Sequence, residues 1–321
     1  MLALRNRALF TTEYEDPQRF RPEPGSLYMF GTGVEDRGGH VFEWQQNAAD
    51  TIFLQLKESG RSAITVANDD GDQILLRSRD RLAAMLVPHR DRLLYLDITG
   101  LSHHVWIPIV RVAVEMRVEL RVVYVEPRDY SYSRSPREND LFDLSERTLG
   151  ISPLPLFASL AEPDEDKVCF IPLLGFEGGR LAHLTEEVQP HGGQIHPVIG
   201  IPGFRAEYPF FTFQSNIITL HGTQAYRNVR YARANCPFSL AYTLDDVFAA
   251  YPDGHFFKIG LIGTKPHALG AVIRALSSDR PIELVYDHAK RQPKRSVGKA
   301  LCHVYAVSEF LNDNGPDGGD G

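Results

Sequence analysis

A glycine turn between a strand pattern and a helix pattern is the sequence feature best suited to bind a ligand. Residues 257–276 read FKIGLIGTKPHALGAVIRAL, and the change from strand to helix falls at Gly263, Thr264 and Lys265. A helix beginning near Pro266 leaves its first amide groups without intrahelical partners, and its dipole favours negative charge there. The turn therefore predicts a binding site for one phosphate group. The alternative is a tight turn capped by Thr264, with Lys265 in solvent.

Two further turns each follow an apolar strand pattern and place a glutamate two residues after a glycine, with an arginine close behind. They contain Gly33, Glu35 and Arg37 in one half of the chain, and Gly175, Glu177, Gly178 and Arg180 in the other. An arginine can bind a phosphate group through two hydrogen bonds, and a glutamate can accept from ribose hydroxyl groups or act as a general base if its pKa is raised. Both arginines are predicted to bind ligand, and both glutamates are candidate catalytic residues. The alternative is that each glutamate pairs with its neighbouring arginine and fixes the turn.

Another turn follows the strand pattern that ends at Gly100. Ser102 is a natural N-cap for the helix pattern after it. Gly100 and Ser102 are both predicted to contact the ligand. His103, or His267 at the comparable place in the other half, could contact a phosphate group or serve in acid–base catalysis. His103 and His104 point in different directions on a helix and make a poor zinc pair, so no metal site is predicted. The alternative is a helix cap with one exposed and one partly buried histidine.

The order of apolar segments predicts an α/β fold built on parallel sheets. Near-continuous apolar strand patterns at 91–100 and 119–127 flank a helix pattern at 102–117, which is typical of a parallel strand–helix–strand unit. Residues 128–167 are polar and turn-rich, and are predicted to form a connector with one docked helix. Residues 215–222 (SNIITLHG) are predicted to be a strand, and 300–311 (ALCHVYAVSEFL) an edge strand.

The two halves of the chain share a weak internal repeat. Gly100 and Gly263 each end a strand pattern eleven residues before an arginine, and the next strand patterns end at Tyr124 and Tyr286. We therefore predict two Rossmann-like parallel-sheet units related by internal duplication, with coincidental sharing of glycine turns as the alternative. The predicted organisation is a first half at 1–130, a connector at 131–167, a second half at 168–311 and a disordered tail at 312–321. Ligands of open parallel sheets lie beyond the carboxyl ends of the strands, so the turns of both halves are expected to face one shared cleft.

The turn at Gly263, Thr264 and Lys265, followed by a helix, resembles the Thr-Gly-Gly-Thr-Lys turn of CRISPR-associated Rossmann-fold (CARF) sensor domains. Leu261 and Ile262 stand where that pattern has Thr and Gly, so only the last three residues match. Residues 97–100 (DITG) are a looser equivalent in the first half and lack the lysine. The resemblance implies a sensor that binds a cyclic oligoadenylate across a two-fold cleft, and a role in prokaryotic antiviral defence.

Bulk composition argues against several other functions. A net charge of −7 and a pI near 5.9 disfavour a long nucleic-acid surface, although one local cluster of cations and amide groups suffices for a small anion. The basic run at 288–299 is predicted to be a solvated loop or a cover over such an anion. The three cysteines are far apart in sequence, so neither a disulfide framework nor a Cys-rich zinc site is expected. This cysteine usage predicts a cytoplasmic location. No stretch of about 18 apolar residues occurs, so no membrane span is expected.

Three functions remain open from the sequence. The first is a cytoplasmic module that binds an anionic, nucleotide-derived small molecule and signals to a protein partner, with no further cofactor. The second is a non-catalytic structural subunit of a multi-protein defence complex. The third is a hydrolase or phosphoesterase acting on a nucleotide, with Glu35, Glu177, His103 or His267 in acid–base roles, although the sequence contains no G-x-S-x-G or HExxH motif.

Overall fold

The structure is a computed structural model that describes residues 9–48, 50–67, 72–137, 139–158 and 164–313. The predicted disordered tail lies outside the described residues, except for Asn312 and Asp313 at the end of a helix. Within the described ranges, no helix combines the length and the apolar character that crossing a membrane requires.

The described chain combines α-helices with sheets that contain parallel strands, which confirms the α/β prediction. The strands are β1 (Thr11–Tyr14), β2 (Leu27–Phe30), β3 (Ile52–Ser59), β4 (Ala63–Val66), β5 (Ile74–Leu75), β6 (Leu94–Asp97), β7 (Leu120–Tyr130), β8 (Tyr132–Arg137), β9 (Asp140–Phe142), β10 (Ser145–Arg147), β11 (Val168–Leu173), β12 (Val198–Gly200), β13 (Arg230–Ala232), β14 (Phe256–Leu261), β15 (Ile282–Val285), β16 (Lys290–Arg291) and β17 (Ser296–Ala306). The helices are α1 (Arg79–Leu86), α2 (His103–Glu115), α3 (Gly178–Val188), α4 (Tyr208–Gly222), α5 (Pro237–Phe248), α6 (Lys265–Ser277) and α7 (Val307–Asp313).

The chain divides into two compact units. The first unit contains residues 9–130, 154–156 and 296–313, and the second contains 131–153 and 157–295, apart from the positions not described. The first unit holds an eight-stranded sheet in the order β1-β17-β7-β6-β2-β3-β4-β5. Its strands β7, β6, β2 and β3 pair in parallel. The remaining neighbours in this sheet pair antiparallel.

The second unit holds a five-stranded sheet in the order β13-β12-β11-β14-β15, and every pair in it is parallel. If β11 to β15 are renumbered 1 to 5, the sheet has the strand order 3-2-1-4-5, which is that of doubly wound sheets. Such sheets bind their ligands where the strand order reverses. Here the reversal lies between β11 and β14. The parallel strands β3-β2-β6-β7 of the first unit follow the same order with one strand fewer. The internal duplication itself stays a prediction.

Continuous apolar strands and paired helices account for the second sheet. Strand β11, with the sequence VCFIPL, is buried at every position, as expected for a parallel strand covered on both faces. Helix α3 packs against α4, and α5 packs against α6. Right-handed crossovers of this strand order place the first helix pair on one face of the sheet and the second pair on the other. The loops at the carboxyl ends of β11 and β14 therefore lie side by side.

The prediction of a strand at 215–222 is wrong, because these residues form the second half of α4. Ile217, Ile218 and Thr219 are β-branched and favour a strand locally. The helix is nevertheless formed, since Leu220 packs in one core cluster with Leu181 and Leu184 of α3. Tertiary packing has overridden the local preference.

The edge strand predicted at 300–311 is also wrong. Strand β17 lies between β1 and β7 in the sheet of the first unit, and the chain then continues as α7. A segment that we assigned to the second half thus pairs with strands from the first. The connector region forms β8, β9 and β10 where we expected a helix, and in β10 Ser145 pairs with Arg291 of β16. Such distant partners leave no periodic signal in the sequence.

Candidate functional site

The glycine turns at the carboxyl ends of the parallel strands pack backbone against backbone in both units. In the first unit, a Cβ atom on Gly100 would lie 1.7 Å from the carbonyl oxygen of Gly31, and one on Gly33 would lie 2.4 Å from that of Gly100. In the second unit, a Cβ atom on Gly175 would lie 2.4 Å from the carbonyl oxygen of the residue before Gly263. In each unit, two of the predicted turns are thus brought together, and their glycines allow one turn to approach the other.

Arg37 and Glu35 form a buried ion pair in the first unit. Arg37 Nε donates to Glu35 Oε2 at 2.9 Å, and Arg37 Nη1 donates to the Val125 carbonyl oxygen at 2.5 Å. The Ser296 hydroxyl group also donates to Glu35. Burial works to lower the pKa of Arg37, but Tyr124 and Glu35 outweigh it and raise that pKa, so the guanidinium group stays charged. The pairing that we named as the alternative to ligand binding is present at this turn.

Arg180 and Glu177 are likewise held by protein groups in the second unit. Arg180 binds both carboxylate oxygens of the buried Asp287, at 2.7 and 2.6 Å, and lies 3.6 Å from Glu177. The Glu177 carboxylate accepts from the Leu144 amide at 3.0 Å and the Ser145 hydroxyl group at 2.9 Å. In each unit, the arginine lies after the first parallel strand in chain order. It contacts a residue in the last parallel strand (Val125 in β7) or just after it (Asp287 after β15). These arginines join loops, and no oxygen of a ligand is needed to neutralise them.

The N-terminus of α2 is occupied by a carboxylate from within the first unit. The Ser102 amide and hydroxyl groups donate to the two carboxylate oxygens of Glu58, at 2.8 and 2.9 Å. His104 Nε2 lies 3.8 Å from the same carboxylate, and both His103 and His104 are buried. Glu58 comes from β3, so the anion that the helix start favours is supplied by the neighbouring strand.

At the start of α6, a predicted ligand-binding cation lies at a helix N-terminus. Lys265 is the first helical residue and is only 5% exposed, so the alternative of a solvated lysine is wrong. Thr264 caps the helix by accepting from the His267 amide, and its hydroxyl group donates to the Ala234 carbonyl oxygen at 2.7 Å. His267 Nε2 lies 3.0 Å from the Arg233 carbonyl oxygen. A bound anion at this end of the helix would interact favourably with both the ammonium group and the helix dipole.

A second helix begins beside α6. Pro237 is the first residue of α5, and a Cβ atom on Gly270 of α6 would lie 2.3 Å from the Pro237 carbonyl oxygen. Both helices follow the carboxyl end of a parallel strand, so both direct positive ends toward the same edge of the sheet. Arg233 lies in the turn before α5, and its Nε atom is buried without a hydrogen-bond partner in the described chain. Sequence reasoning missed Arg233, because β13 is too short to show where its strand ends.

His267 is neutral at physiological pH. It is 1% exposed, and burial lowers its pKa to about 4, although hydrogen bonds to the carbonyl groups of Arg233 and Ala232 act in the opposite direction. A neutral imidazole that donates from Nε2 keeps Nδ1 as an acceptor. His267 therefore cannot supply a proton as a general acid near pH 7.

The low pKa of His267 predicts a loss of stability in mild acid. The unfolded chain binds a proton on this histidine near pH 6.5 and the folded chain only near pH 4, so stability falls as the pH decreases through that interval. At pH 5 the expected contribution is about 2 kcal/mol. Urea unfolding at pH 7 and pH 5 measures how much the free energy of unfolding falls between the two pH values. This fall should be smaller in His267→Gln than in the wild type by about that amount. His191→Gln, at an exposed position of the same unit, should leave the loss unchanged, and equal losses in His267→Gln and wild type would contradict the assignment.

A buried network around Asp97 was also missed. Asp97 ends β6 and accepts from Tyr28 at 3.0 Å and from the Thr99 amide at 2.8 Å, and it lies 2.7 Å from His40 Nε2. Trp44 Nε1 contacts the other ring nitrogen of His40 at 3.3 Å. Burial works to raise the pKa of Asp97, but His40 and Thr99 outweigh it and lower that pKa. Asp97 and His40 are at most 1% exposed, so the network stabilises the sheet and does not face a substrate.

One pocket in the second unit is lined by none of the predicted site residues. Its volume is about 620 Å³, and it is lined by Pro190, Gly193, Ile195, Gly222, Thr223, Gln224, Arg227 and Asn228 of the second unit. In the part of the chain that the structure describes, no group of three or more His, Cys, Asp or Glu residues could hold a metal ion. No protein-family model matches the chain, and a search of curated proteins finds no match.

Proposed function

We propose that the second unit binds a phosphorylated, nucleotide-type ligand at the start of α6 and signals its occupancy to a protein partner. The observation that carries the proposal is the buried Lys265 at a helix N-terminus, on the carboxyl edge of an all-parallel sheet and beside the point where the strand order reverses. That edge is where doubly wound sheets bind their ligands. A role in antiviral defence rests on the resemblance to CARF domains, and the cleft shared by two halves stays a prediction.

Three features support a phosphate group at this place. The N-terminal dipole of α6 favours negative charge, the Lys265 ammonium group adds a positive charge, and Arg233, in the turn beside it, has a buried Nε donor. The Thr264 hydroxyl group already donates to the protein, so we assign it to positioning the turn. Arg37 and Arg180 are not part of this proposal, because their guanidinium groups bind carboxylates and a carbonyl oxygen of the protein.

Replacing Lys265 with methionine tests the proposal. Methionine keeps an apolar stem at the buried position and removes the charge. We expect calorimetric titration of the full chain with adenosine 5′-monophosphate, and with a cyclic oligoadenylate, to show affinity reduced by about 10- to 100-fold, because a hydrogen bond to a charged group contributes about 1.5–3 kcal/mol.

Lys258→Met is the matched control for this experiment. Lys258 lies in β14 of the same unit, and its ammonium group is 3.7 Å from Glu283. Its loss changes the net charge equally and should leave the affinity unchanged. Equal affinity of Lys265→Met and wild type would remove the α6 turn from the ligand site.

An apolar surface on α4 supports the protein partner. Phe210 and Ile218 are 73% and 75% exposed, whereas most large apolar side chains of the second unit are buried. Phe is enriched at protein-binding surfaces, so Phe210 is a candidate contact for a partner. The same observation favours the structural-subunit alternative. Capture of a partner by the wild type in the absence of nucleotide, and its loss in Phe210→Ser, would favour that alternative over a ligand-dependent signal.

The hydrolase alternative has less support. The carboxylates of Glu35 and Glu177 accept hydrogen bonds from the protein at their turns, and His267 is neutral and buried. A general base needs access to the proton that it removes. These side chains are better suited to fixing loops than to proton transfer.

A further inference from the structure

Three aromatic rings of the second unit form a column that ends at an exposed tyrosine. Phe142 stacks on Phe176 with ring centroids 4.6 Å apart and 24° between the planes. Tyr132 stacks on Phe142 at 4.9 Å and 19°. Phe211 meets both Phe142 and Tyr132 edge-on, at 5.5 and 6.3 Å. The column is thus held in place from the side and has one defined axis.

The outer face of the Tyr132 ring is open. Phe142 is 2% exposed, whereas Tyr132 is 61% exposed although one of its faces covers Phe142. The opposite face must account for most of that exposed area. A flat ring fixed in orientation and free on one side is suited to stack a further planar group.

Basic residues lie near Tyr132 along its own strand and on the segment that is hydrogen-bonded to Ser131. The Ser131 amide donates to the Arg295 carbonyl oxygen, and the Ser131 hydroxyl group donates to that of Lys294, both at 2.9 Å. The basic segment is therefore adjacent to the residue before Tyr132. Lys294 and Arg134, which is two residues after Tyr132 in β8, are both exposed. An aromatic platform flanked by cations matches a nucleobase linked to a phosphate group.

The column begins at the same sheet edge as the proposed phosphate site. Phe176 follows Gly175, whose α-carbon packs against the loop residues Ile262 and Gly263 that precede α6. The outer face of Tyr132 lies two stacked rings beyond Phe176 and is turned away from it, so a ligand that contacts both the start of α6 and that face must be longer than a mononucleotide. The inference rests on the proposed function for this link, but the stacking can be tested separately.

We propose that Tyr132 is the platform on which an unpaired nucleobase of the ligand stacks. The ligand class is a short oligonucleotide, because the stacking face and the α6 turn lie at opposite ends of the column and the acidic chain disfavours a long nucleic-acid surface. The ring supplies affinity for the base, and Lys294 and Arg134 supply positive potential for phosphate groups. Sequence reasoning missed Tyr132, because Phe142, on which it stacks, and Phe176, on which Phe142 stacks, lie 10 and 44 residues further along the chain.

The test compares a ligand that carries a base with one that does not. The full chain and its variants are titrated calorimetrically with a short 5′-phosphorylated oligoadenylate and with ribose 5-phosphate. Tyr132→Ala should weaken binding of the oligoadenylate by about tenfold or more and leave ribose 5-phosphate unaffected. Tyr132→Phe, which keeps the ring, should bind both like the wild type. Tyr226→Ala, which removes an exposed tyrosine stacked on His221, is the control for loss of a surface ring.

The outcomes separate this inference from the proposed function. Lys265→Met should weaken both ligands, whereas Tyr132→Ala should weaken only the oligoadenylate. A loss in Tyr132→Ala with no loss in Lys265→Met would keep the stacking platform and remove the α6 turn. Oligoadenylate binding by Tyr132→Ala equal to that of the wild type would overturn the inference, as expected if the ring only contacts a protein. Failure of the wild type to bind adenylate, as a mononucleotide or a short oligonucleotide at millimolar concentration, would overturn both.

Discussion

Replacing Gly178 with alanine is expected to destabilise the second unit by about 3 kcal/mol or more, whereas the same change at Gly179 should not. Both glycines lie in the first turn of α3. A Cβ atom on Gly178 would lie 1.8 Å from the carbonyl oxygen of Ser215 in α4, and neither group is the end of a flexible side chain. The two helices would have to move apart, which disturbs the core cluster that includes Leu181 and Leu220.

Gly179→Ala is the matched control, because no heavy atom lies within 4 Å of the Cβ position at that residue. Alanine is a better helix former than glycine, so we expect a small gain of about 0.5 kcal/mol. The free energy of unfolding in urea is measured by circular dichroism. Tryptophan fluorescence comes from Trp44 and Trp106, both in the first unit, and checks that this unit is folded. Equal stability of the two variants would show that α3 and α4 do not approach as closely as described.

The same pair of glycines shows what the sequence could predict. Gly178 belongs to a turn that we expected to contact a ligand, and a close approach is present at this glycine, but the approaching group is helix α4. A glycine identifies a position that cannot hold a side chain without identifying what fills the space. Because α4 was predicted as a strand over 215–222, its backbone was not available as an explanation.

Local patterns did predict the start of α6. Thr264 as a cap and Pro266 in the first turn follow rules that act over a few residues, and both are present. The burial of Lys265 could not be predicted in this way, since it depends on the packing of α5 against α6. The sequence was expected to bring the turns of both halves to one shared cleft, which stays a prediction, whereas the contact between two turns within each unit was not predicted.

Partners far apart in sequence could not be predicted. Glu35 and Arg37 are two residues apart, and their pairing was named as an alternative. Asp287, the main partner of Arg180, lies 107 residues away and belongs to no recognisable motif. Strand β17 similarly completes a sheet whose other members all precede residue 131. Hydrogen bonding across a sheet or between loops depends on the fold as a whole, and a single sequence carries no local signal of it.

Removing Asp287 is expected to destabilise the second unit by about 3–5 kcal/mol, because it leaves the buried Arg180 guanidinium group without its main partner. Asp287 is 0% exposed, and its two carboxylate oxygens bind Arg180 at 2.6 and 2.7 Å. Burial works to lower the pKa of Arg180, but Asp287 outweighs it and raises that pKa, so the charge persists in the native state. Asp287→Ala is measured by urea unfolding, with Arg205→Ala as a control at a more exposed ion pair that should change little.

A double-mutant cycle separates the ion pair from packing around it. If the pair acts as a unit, Arg180→Ala should cost about as much as Asp287→Ala, and the double variant should cost far less than the sum of the two. Additive losses would mean that each side chain stabilises the fold through other contacts. The cycle also bears on the ligand site, because an Arg180 whose energy is coupled to Asp287 in this way is committed to the protein. Nucleotide affinity at the α6 turn should then be the same in wild type and in any Arg180 variant that remains folded.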